Sequence, residues 1–271
     1  MILIRLGMKI FIASFNRASD GALSKLKQKM IDKGYYTDNY NEADYILACG
    51  DRKETFDFVL ERYRENKKII HLWAGDISQG THDEVYRHSI TLMSCVQLCT
   101  NSQSKEVVKK LCKAVNKRYF IFIIGNIMLD NLEVDESIKI EKPYDLILYN
   151  PPTLYNIEKI KEELDYINSI KNKNYIWIEA NGDKESELVN KYTNSKNLDR
   201  KIFLGLLKNC DRYITNSSSQ YYEAPFFLKK EQIISIGERN IDRNSRYSDM
   251  TLKNASDNVI KVLEILENAT I

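Results

Sequence analysis

The stretch HLWAGDISQGTHDEVYRH, residues 71–88, gathers all three histidines of the chain with Asp76, Asp83, Glu84 and Arg87. Imidazoles and carboxylates at this density can bind a metal ion or move protons. The spacing argues against the metal: the histidines lie 11 and 6 residues apart, and neither interval makes an i, i+4 ligand pair on a helix. His71 closes an apolar run and is expected to be a hydrogen-bonded structural residue. His82, beside Asp83, is better placed to meet a ligand. His88 follows Glu84 by one helical turn, the spacing of a helix-face pair. Asp83 and Arg87 share that spacing; the plain alternative for them is a surface ion pair of little energy.

A second group of chemically able residues is Ile214-Thr-Asn-Ser-Ser-Ser-Gln-Tyr-Tyr-Glu-Ala-Pro225. A strand-like run ends, small hydroxyl residues follow, and a helix begins. Helix N-termini present unpaired N–H groups that hold phosphate oxygens, and Ser217, Ser218 and Ser219 add hydroxyl donors. Glu223, one turn further on, could accept hydrogen bonds from the vicinal diol of a ribose. The same letters also describe a serine N-cap with a first-turn glutamate, and the pattern alone leaves both readings open.

These groups need a frame. Short β-rich runs alternate with amphipathic helices: strands are predicted at 9–13, 45–49, 68–72, 96–100 and 118–124, with helices over 22–33, 53–65, 83–94 and 104–116. After a stretch at 131–142 that alternates in charge and is poor in aromatics, the rhythm restarts. Strands at 145–149, 175–179, 212–215 and 232–236 alternate with helices over 157–170, 183–191, 200–210 and 221–228, and a last helix covers 251–267. Parallel strands need crossover helices, so this order predicts α/β architecture with two doubly wound parallel sheets. The expected division is a shortened N-terminal Rossmann-like domain over 1–135, a linker at 136–144, a C-terminal nucleotide-binding domain over 145–250, and a final helix in 251–271 packing back on the first domain. Ligands of open parallel sheets bind beyond the carboxyl ends of the strands, and both groups above lie just after strands.

Composition excludes several classes. Forty Lys+Arg against 38 Asp+Glu leave a net charge of +2, so no global positive field argues for nucleic acid. No apolar run approaches the roughly 18 residues of a membrane-spanning helix. The five cysteines have no framework or metal-ligand spacing; free buried thiols in a reducing, cytoplasmic compartment are expected. Met8 is the natural start of the first strand, and residues 1–7 are expected to be an added or misassigned leader. The chain carries no Gly-rich dinucleotide fingerprint and no P-loop.

Several motifs in order carry a resemblance. Asn216-Ser-Ser-Ser-x-x-x-Glu-Ala-Pro225, then Ile236-Gly-Glu-Arg239 and Arg243, resemble the nucleotide-binding half of UDP-N-acetylglucosamine 2-epimerases, most of all the hydrolysing branch that makes precursors of sialic-acid-like sugars. Ser14-Phe-Asn-Arg17, Gly50-Asp51-Arg, His71-x-x-Ala-Gly75 with Asp83 and Arg87-His-Ser-Ile-Thr91, Gly125-Asn-x-x-x-Asp130 and Ala180-Asn181-x-Asp183 follow the same family from first strand to second domain. The resemblance implies the GT-B-like fold, two Rossmann-like domains facing a cleft. It also implies elimination of UDP from a UDP-amino sugar by removal of the C2 proton, then hydration of the glycal with inversion at C2. No cofactor, metal, nucleic acid or membrane is implied, and a homodimer is compatible with it.

Position by position, the resemblance makes Asp51 and Asp83 catalytic carboxylates and Arg87 their neighbouring cation. It places Arg17, Asn150, Asn181, Ser217, Ser218, Ser219, Glu223, Arg239 and Arg243 on the substrate. Two positions depart from the family: Trp73 stands where a glutamate is usual, and Asn150 where a histidine is usual. Asp76 could supply the missing carboxylate and His82 or His88 the missing imidazole. The short interval between Arg17 and Asp51 leaves room for one helix, so one βα unit is expected to be absent. The alternatives are a nucleotide-sugar-binding protein without turnover and a GT-B glycosyltransferase.

Overall fold

A computed structural model describes residues 7–15, 17–78, 81–130, 132–180, 182, 184–240 and 254–269, with the side chains of 17–19 outside the description. The chain divides into two compact units. The first comprises 1–76, 83–131 and 248–271, the second 77–82 and 132–247. Both are α/β, as the alternation of elements predicted.

In the first unit, β1 (Ile10–Ala13), β2 (Tyr45–Cys49), β3 (Lys68–Leu72), β4 (Val96–Cys99) and β5 (Phe120–Ile123) form a parallel sheet in chain order. Every residue of β2 is buried, as expected for a parallel strand covered on both faces. Alternation along the strands separates two cores. Tyr45, Leu47, Cys49, Ile70 and Leu72 pack with Leu23, Leu26 and Met30 of α1 (Arg17–Asp32) and with Val259, Ile260, Leu263 and Leu266 of α10 (Ala255–Asn268). Ile46, Ala48 and Ile69 face the other way, onto Val59 of α2 (Lys53–Arg64) and Ile90 of α3 (Asp83–Met93). Val108 and Cys112 of α4 (Ser102–Ala114) close over Cys99 on a third cluster.

A strictly sequential sheet with crossovers of one hand would put all its helices on one face. The exception has a visible cause. After α1 the chain returns to the outer side of β1 and makes a single parallel bridge, Ile10 with Tyr36. There Ile10 N–H donates to Tyr35 O (2.7 Å) and Thr37 N–H to Ile10 O (3.1 Å). The chain thus winds outward from β1 first and inward to β2 afterwards, and the same handedness leaves α1 on the opposite face from α2 and α3. This bridge is a one-residue strand, and it sets the reversal of winding at the carboxyl end of β1.

α10 closes the first unit from the far end of the sequence. Asp130 accepts from the leading N–H groups of the helix, Ala255 (3.0 Å) and Ser256 (2.5 Å), and so caps a helix whose own Asn254 provides no side-chain cap. Lys29 pairs with Asp257 (2.7 Å), and Tyr35 OH donates to Glu267 (2.8 Å).

The second unit holds β6 (Asp145–Leu148), β7 (Tyr175–Ile178), β8 (Arg212–Thr215) and β9 (Ile233–Ser235), all parallel, in the order β7-β6-β8-β9. Winding reverses between β6 and β8. α5 (Ile157–Ile170) covers one face through Ile160, Leu164 and Ile167 packed near Ile147 and Trp177. α7 (Arg200–Asn209) covers the other through Leu204 and Leu207 near Leu146 and Tyr213. A short α6 (Ser186–Asn190) lies between β7 and α7.

Three sequence expectations are corrected here. The stretch at 132–142, where the linker is expected from 136, packs on α7 and belongs to the second unit: Leu132, Val134 and Ile140 join its core, and Asp135 N–H donates to Lys201 O (2.9 Å). Gly205 of α7 allows this approach, since a Cβ there would sit 1.9 Å from Asp135 O. The helix expected over 221–228 is two turns, α8 (Ser219–Tyr222) and α9 (Ala224–Phe227), broken at Glu223 (φ −119°, ψ −44°). Pro225 has no N–H to bond back and restricts the residue before it, so a continuous helix cannot pass. The first helix begins earlier than its apolar pattern, at Arg17, because polar residues fill its opening turn.

Candidate functional site

The first unit brings its charges together at the carboxyl ends of β2 and β3. Arg87, on α3, is 2% exposed. Its guanidinium forms an ion pair with Asp51, in the loop after β2, and donates from Nη1 to Glu84 (2.9 Å) and to the backbone oxygen of Asp76 (3.2 Å). A planar fork with five donors suits this task, and a lysine would not reproduce it. Glu84 holds two cationic-capable groups at once, because its other oxygen accepts from His88 Nε2 (2.9 Å). Asp83 opens α3 and is half-buried, as is Asp76.

His71 lies one layer beneath. It is fully buried, with Nε2 at 3.2 Å from Gly50 O and Nδ1 at 3.0 Å from Thr91 Oγ1. A carbonyl only accepts, so the proton sits on Nε2 and Nδ1 accepts from the threonine hydroxyl. His71 thereby fixes the carbonyl immediately before Asp51. Its structural reading from sequence agrees with this geometry. Burial lowers its pKa to about 4. The unfolded chain therefore takes a proton near pH 6.5 that the folded chain refuses until about pH 4, and stability falls as pH drops through that window. Urea midpoints for the protein should decline between about pH 7 and pH 5, and His71→Gln should flatten that decline.

The turn after β3 is sharp. Trp73 adopts φ +64°, rare for a bulky residue, and its ring packs against the α1-side core. Gly75 follows at φ +75°, and a Cβ on it would lie 2.0 Å from Ser104 O. The loop thus lies directly against the first turn of α4, whose Asn101 cap accepts from Ser104 N–H (2.8 Å).

In the second unit the reversal point between β6 and β8 is tied by an asparagine. Asn216 is fully buried; its Oδ1 accepts from Asn150 N–H (2.8 Å) and its Nδ2 donates to Asn150 O (2.7 Å). Arg239 Nη1 donates to the same carbonyl (3.0 Å), and Asn240 Nδ2 donates to Asn216 O (2.8 Å). The serine run is hydrogen-bonded internally. Ser217 N–H donates to Thr215 Oγ1 (2.9 Å), Ser219 Oγ lies 3.1 Å from Ser217 Oγ, and Tyr213 OH lies 2.5 Å from Ser219 Oγ. Ser217 and Ser218 are half-buried. Glu223 is 5% exposed and accepts from Arg200 Nη2 (3.1 Å). Burial pushes its carboxyl pKa up, against the opposing pull of Arg200.

The structure therefore joins Asp51 with Arg87 in the first unit, and Asn150 with Arg239, and Ser217 with Ser219, in the second. His82 is exposed, its backbone N–H on Thr153 Oγ1 (3.2 Å). Arg17 opens α1, but its side chain, with Asn181 and Arg243, lies outside the described residues. Sequence reasoning passed over Glu84 as a site residue, although it is i+3 from Arg87 and i+4 from His88. It also missed Arg200, which no local spacing links to Glu223. Among the described residues no three His, Cys, Asp or Glu side chains are grouped to hold a metal ion, and no helix is long and apolar enough to cross a membrane. The five cysteines are free thiols.

The family model described as UDP-N-acetylglucosamine 2-epimerase matches residues 5–270. A GDP/UDP-N,N'-diacetylbacillosamine 2-epimerase (hydrolyzing) of Campylobacter jejuni is 27% identical over 251 residues, covering 83% of this chain and 65% of its own. A UDP-N,N'-diacetylbacillosamine 2-epimerase (hydrolyzing) of Legionella pneumophila is 26% identical over 243 residues, covering 81% of this chain and 60% of its own. This chain thus spans less than two thirds of the length of either relative. The crystal structure of UDP-GlcNAc 2-epimerase from Neisseria meningitidis bound to UDP-GlcNAc superposes with TM-score 0.61 at 13% identity, over 95% of this chain and 99% of that one. Two parallel-sheet α/β domains are found, and the likeness to this structure supports the GT-B-like fold class expected from the motifs.

Proposed function

From the premise that the chain belongs to the UDP-N-acetylglucosamine 2-epimerase family, we propose that it is a hydrolysing 2-epimerase of a UDP-linked 2-acetamido sugar. The observation that carries this reading is Arg87, buried and joined to both Asp51 and Glu84 at the strand ends of the first unit. Such a grouping can hold carboxylates ionised and oriented for proton transfer.

The chemistry asked of these residues is balanced and needs no redox partner. A carboxylate takes the proton from C2, the C1–O bond breaks, and UDP leaves with the bonding electrons. Water then adds across the resulting double bond: hydroxide to C1, a proton to C2 from the opposite face. Asp51, Asp76 and Asp83 are the proposed acid and base set, with His82 available as an imidazole and Arg87 as the organising cation. The serine run, Glu223, Asn150 and Arg239, with Arg17, Asn181 and Arg243, are proposed to take the nucleotide and its diphosphate. Backbone and hydroxyl donors stabilise the charge that develops on a departing diphosphate. Five free thiols support a reducing, cytoplasmic setting, and homodimerisation belongs to the same proposal, to be checked by light scattering.

The test is incubation with UDP-GlcNAc in deuterated water. The expected outcome is UDP release with deuterium at C2 of free N-acetylmannosamine. Binding of UDP-GlcNAc without turnover would leave a nucleotide-sugar-binding protein. UDP release that depends on an added acceptor, without label at C2, would point to glycosyl transfer. Trp73 and Asn150, standing where the family resemblance expects a glutamate and a histidine, are the features that give the binding-only outcome its weight.

A further inference from the structure

Among the described residues of the second unit, Arg200 and Glu223 form a deeply buried ion pair that no part of the proposed chemistry explains. Arg200 is the first residue of α7, and its side chain is 12% exposed; that of Glu223 is 7% exposed. α7 is anchored at this end: Asp199 caps it by accepting from Lys201 N–H (2.8 Å), and Asp135 N–H donates to Lys201 O (2.9 Å). Glu223 is likewise placed by its backbone, at the break between α8 and α9 that Pro225 imposes. Of the two oxygens of Glu223, Oε1 accepts from Arg200 Nη2 at 3.1 Å. Among the described residues Oε2 of Glu223 accepts no hydrogen bond. A nearly buried carboxylate with acceptor capacity to spare calls for an explanation, and the two lone-pair sites of Oε2 fit a pair of adjacent hydroxyl donors.

We propose that Arg200 is a positioning residue for nucleotide recognition: it holds Glu223 ionised and turned so that Oε2 is offered to the vicinal hydroxyls of a ribose. The inference rests on the reading of Glu223 as the ribose acceptor. What it adds is that this buried acid works only because α7 supplies a guanidinium. Among the described residues, Arg200 and Tyr213 are the charged or titratable groups with an interaction to Glu223. Arg200 from α7 pulls its carboxyl pKa down, while the charge of Glu223 helps to push up the phenol of Tyr213 from β8, which is buried and bonded to Ser219. Burial alone pushes the carboxyl up, so losing Arg200 raises it further. A protonated Glu223 keeps one oxygen as a donor and loses the paired acceptor geometry.

Calorimetric titration of UDP, and of its 2'-deoxy analogue, into the full chain across about pH 6 to 8.5 tests this. The wild type should prefer UDP at every pH. Arg200→Met should bind UDP roughly tenfold or more weakly at the acid end, with no preference over the deoxy analogue, and should recover as pH rises. Arg200→Lys should stay within about threefold of wild type. Glu223→Gln should lose the preference at all pH values, and adding Arg200→Met to it should cost little more. A loss in Arg200→Met that is equal at every pH, or one that adds fully to Glu223→Gln, overturns the proposal. Should Arg200→Met fail to fold, Arg200→Lys binding as poorly as Glu223→Gln overturns it instead. Wild type that binds no UDP overturns both this inference and the function it rests on; wild-type binding with a pH-independent Arg200→Met defect overturns this inference alone.

Discussion

Arg87→Met should leave a protein that folds with reduced stability and turns over at no more than about one hundredth of the wild-type rate. The side chain is buried, and its removal leaves Asp51 and Glu84 facing each other across the space of the lost guanidinium. Breaking a buried pair from one side costs about 3–5 kcal/mol. Here both carboxylates keep a quarter or so of their surface, 25% and 28% exposed, and water will screen part of the repulsion. A loss of about 2–3 kcal/mol in urea unfolding is therefore expected. Arg87→Lys should recover most of the stability and little of the rate, since one ammonium cannot serve Asp51, Glu84 and the Asp76 carbonyl together. Equal recovery of both would reduce Arg87 to a structural brace.

Gly75→Ala should cost far more stability than the same methyl group added at Gly34. The position combines φ +75° with a would-be Cβ at 2.0 Å from Ser104 O and 2.7 Å from Val108 Cγ2. The backbone conformation alone costs an L-residue about 1 kcal/mol, and forcing α4 away from the loop adds about 1–3 kcal/mol more. Gly34→Ala is the control. Gly34 has the same φ of +75° but nothing within 4 Å of a Cβ, so only the conformational part should appear. Thermal unfolding should place Gly75→Ala well below Gly34→Ala. Matching midpoints would mean that α4 yields freely. Because Asp76 follows directly, turnover should fall with stability at Gly75 and hold at Gly34.

The frame was readable because burial on two faces leaves a plain imprint. The run Tyr45–Cys49 is continuous and apolar, Lys68–Leu72 is buried after its first residue, and both fold as the strands they resemble. The helix at Ile157–Ile170 matches its apolar stripe from end to end. What the pattern hid is what single residues decide. The bridge at Tyr36 is one residue long, too short for any periodicity, yet it settles which face α1 covers. The break at Glu223 came from Pro225 acting on its neighbours, while the apolar letters ran on past it. At the site, His71 was legible because it ends a buried strand. Glu84 was not, because a helix offers several carboxylates at i+3 and i+4, and only the packed structure chooses among them. Arg200 meets Glu223 across the rest of α7, β8 and α8, a distance that spacing arguments do not reach.

The return of α10 to α1 also has a consequence for how the molecule comes to exist. Translation proceeds from the N-terminus, so the five strands of the first unit are made before residue 131 and the helix that seals one of their faces only after residue 254. Throughout synthesis of the intervening second unit, Leu47, Ile70 and Leu72 lack their cover of Val259, Leu263 and Leu266. An unsealed apolar sheet is a surface on which chaperones and aggregates compete. The second unit, whose elements are consecutive apart from residues 77–82, can mature in that interval. The first to start is thus the last to finish, and a ribosome stalled near residue 250 would carry one finished unit and one waiting for its closing helix.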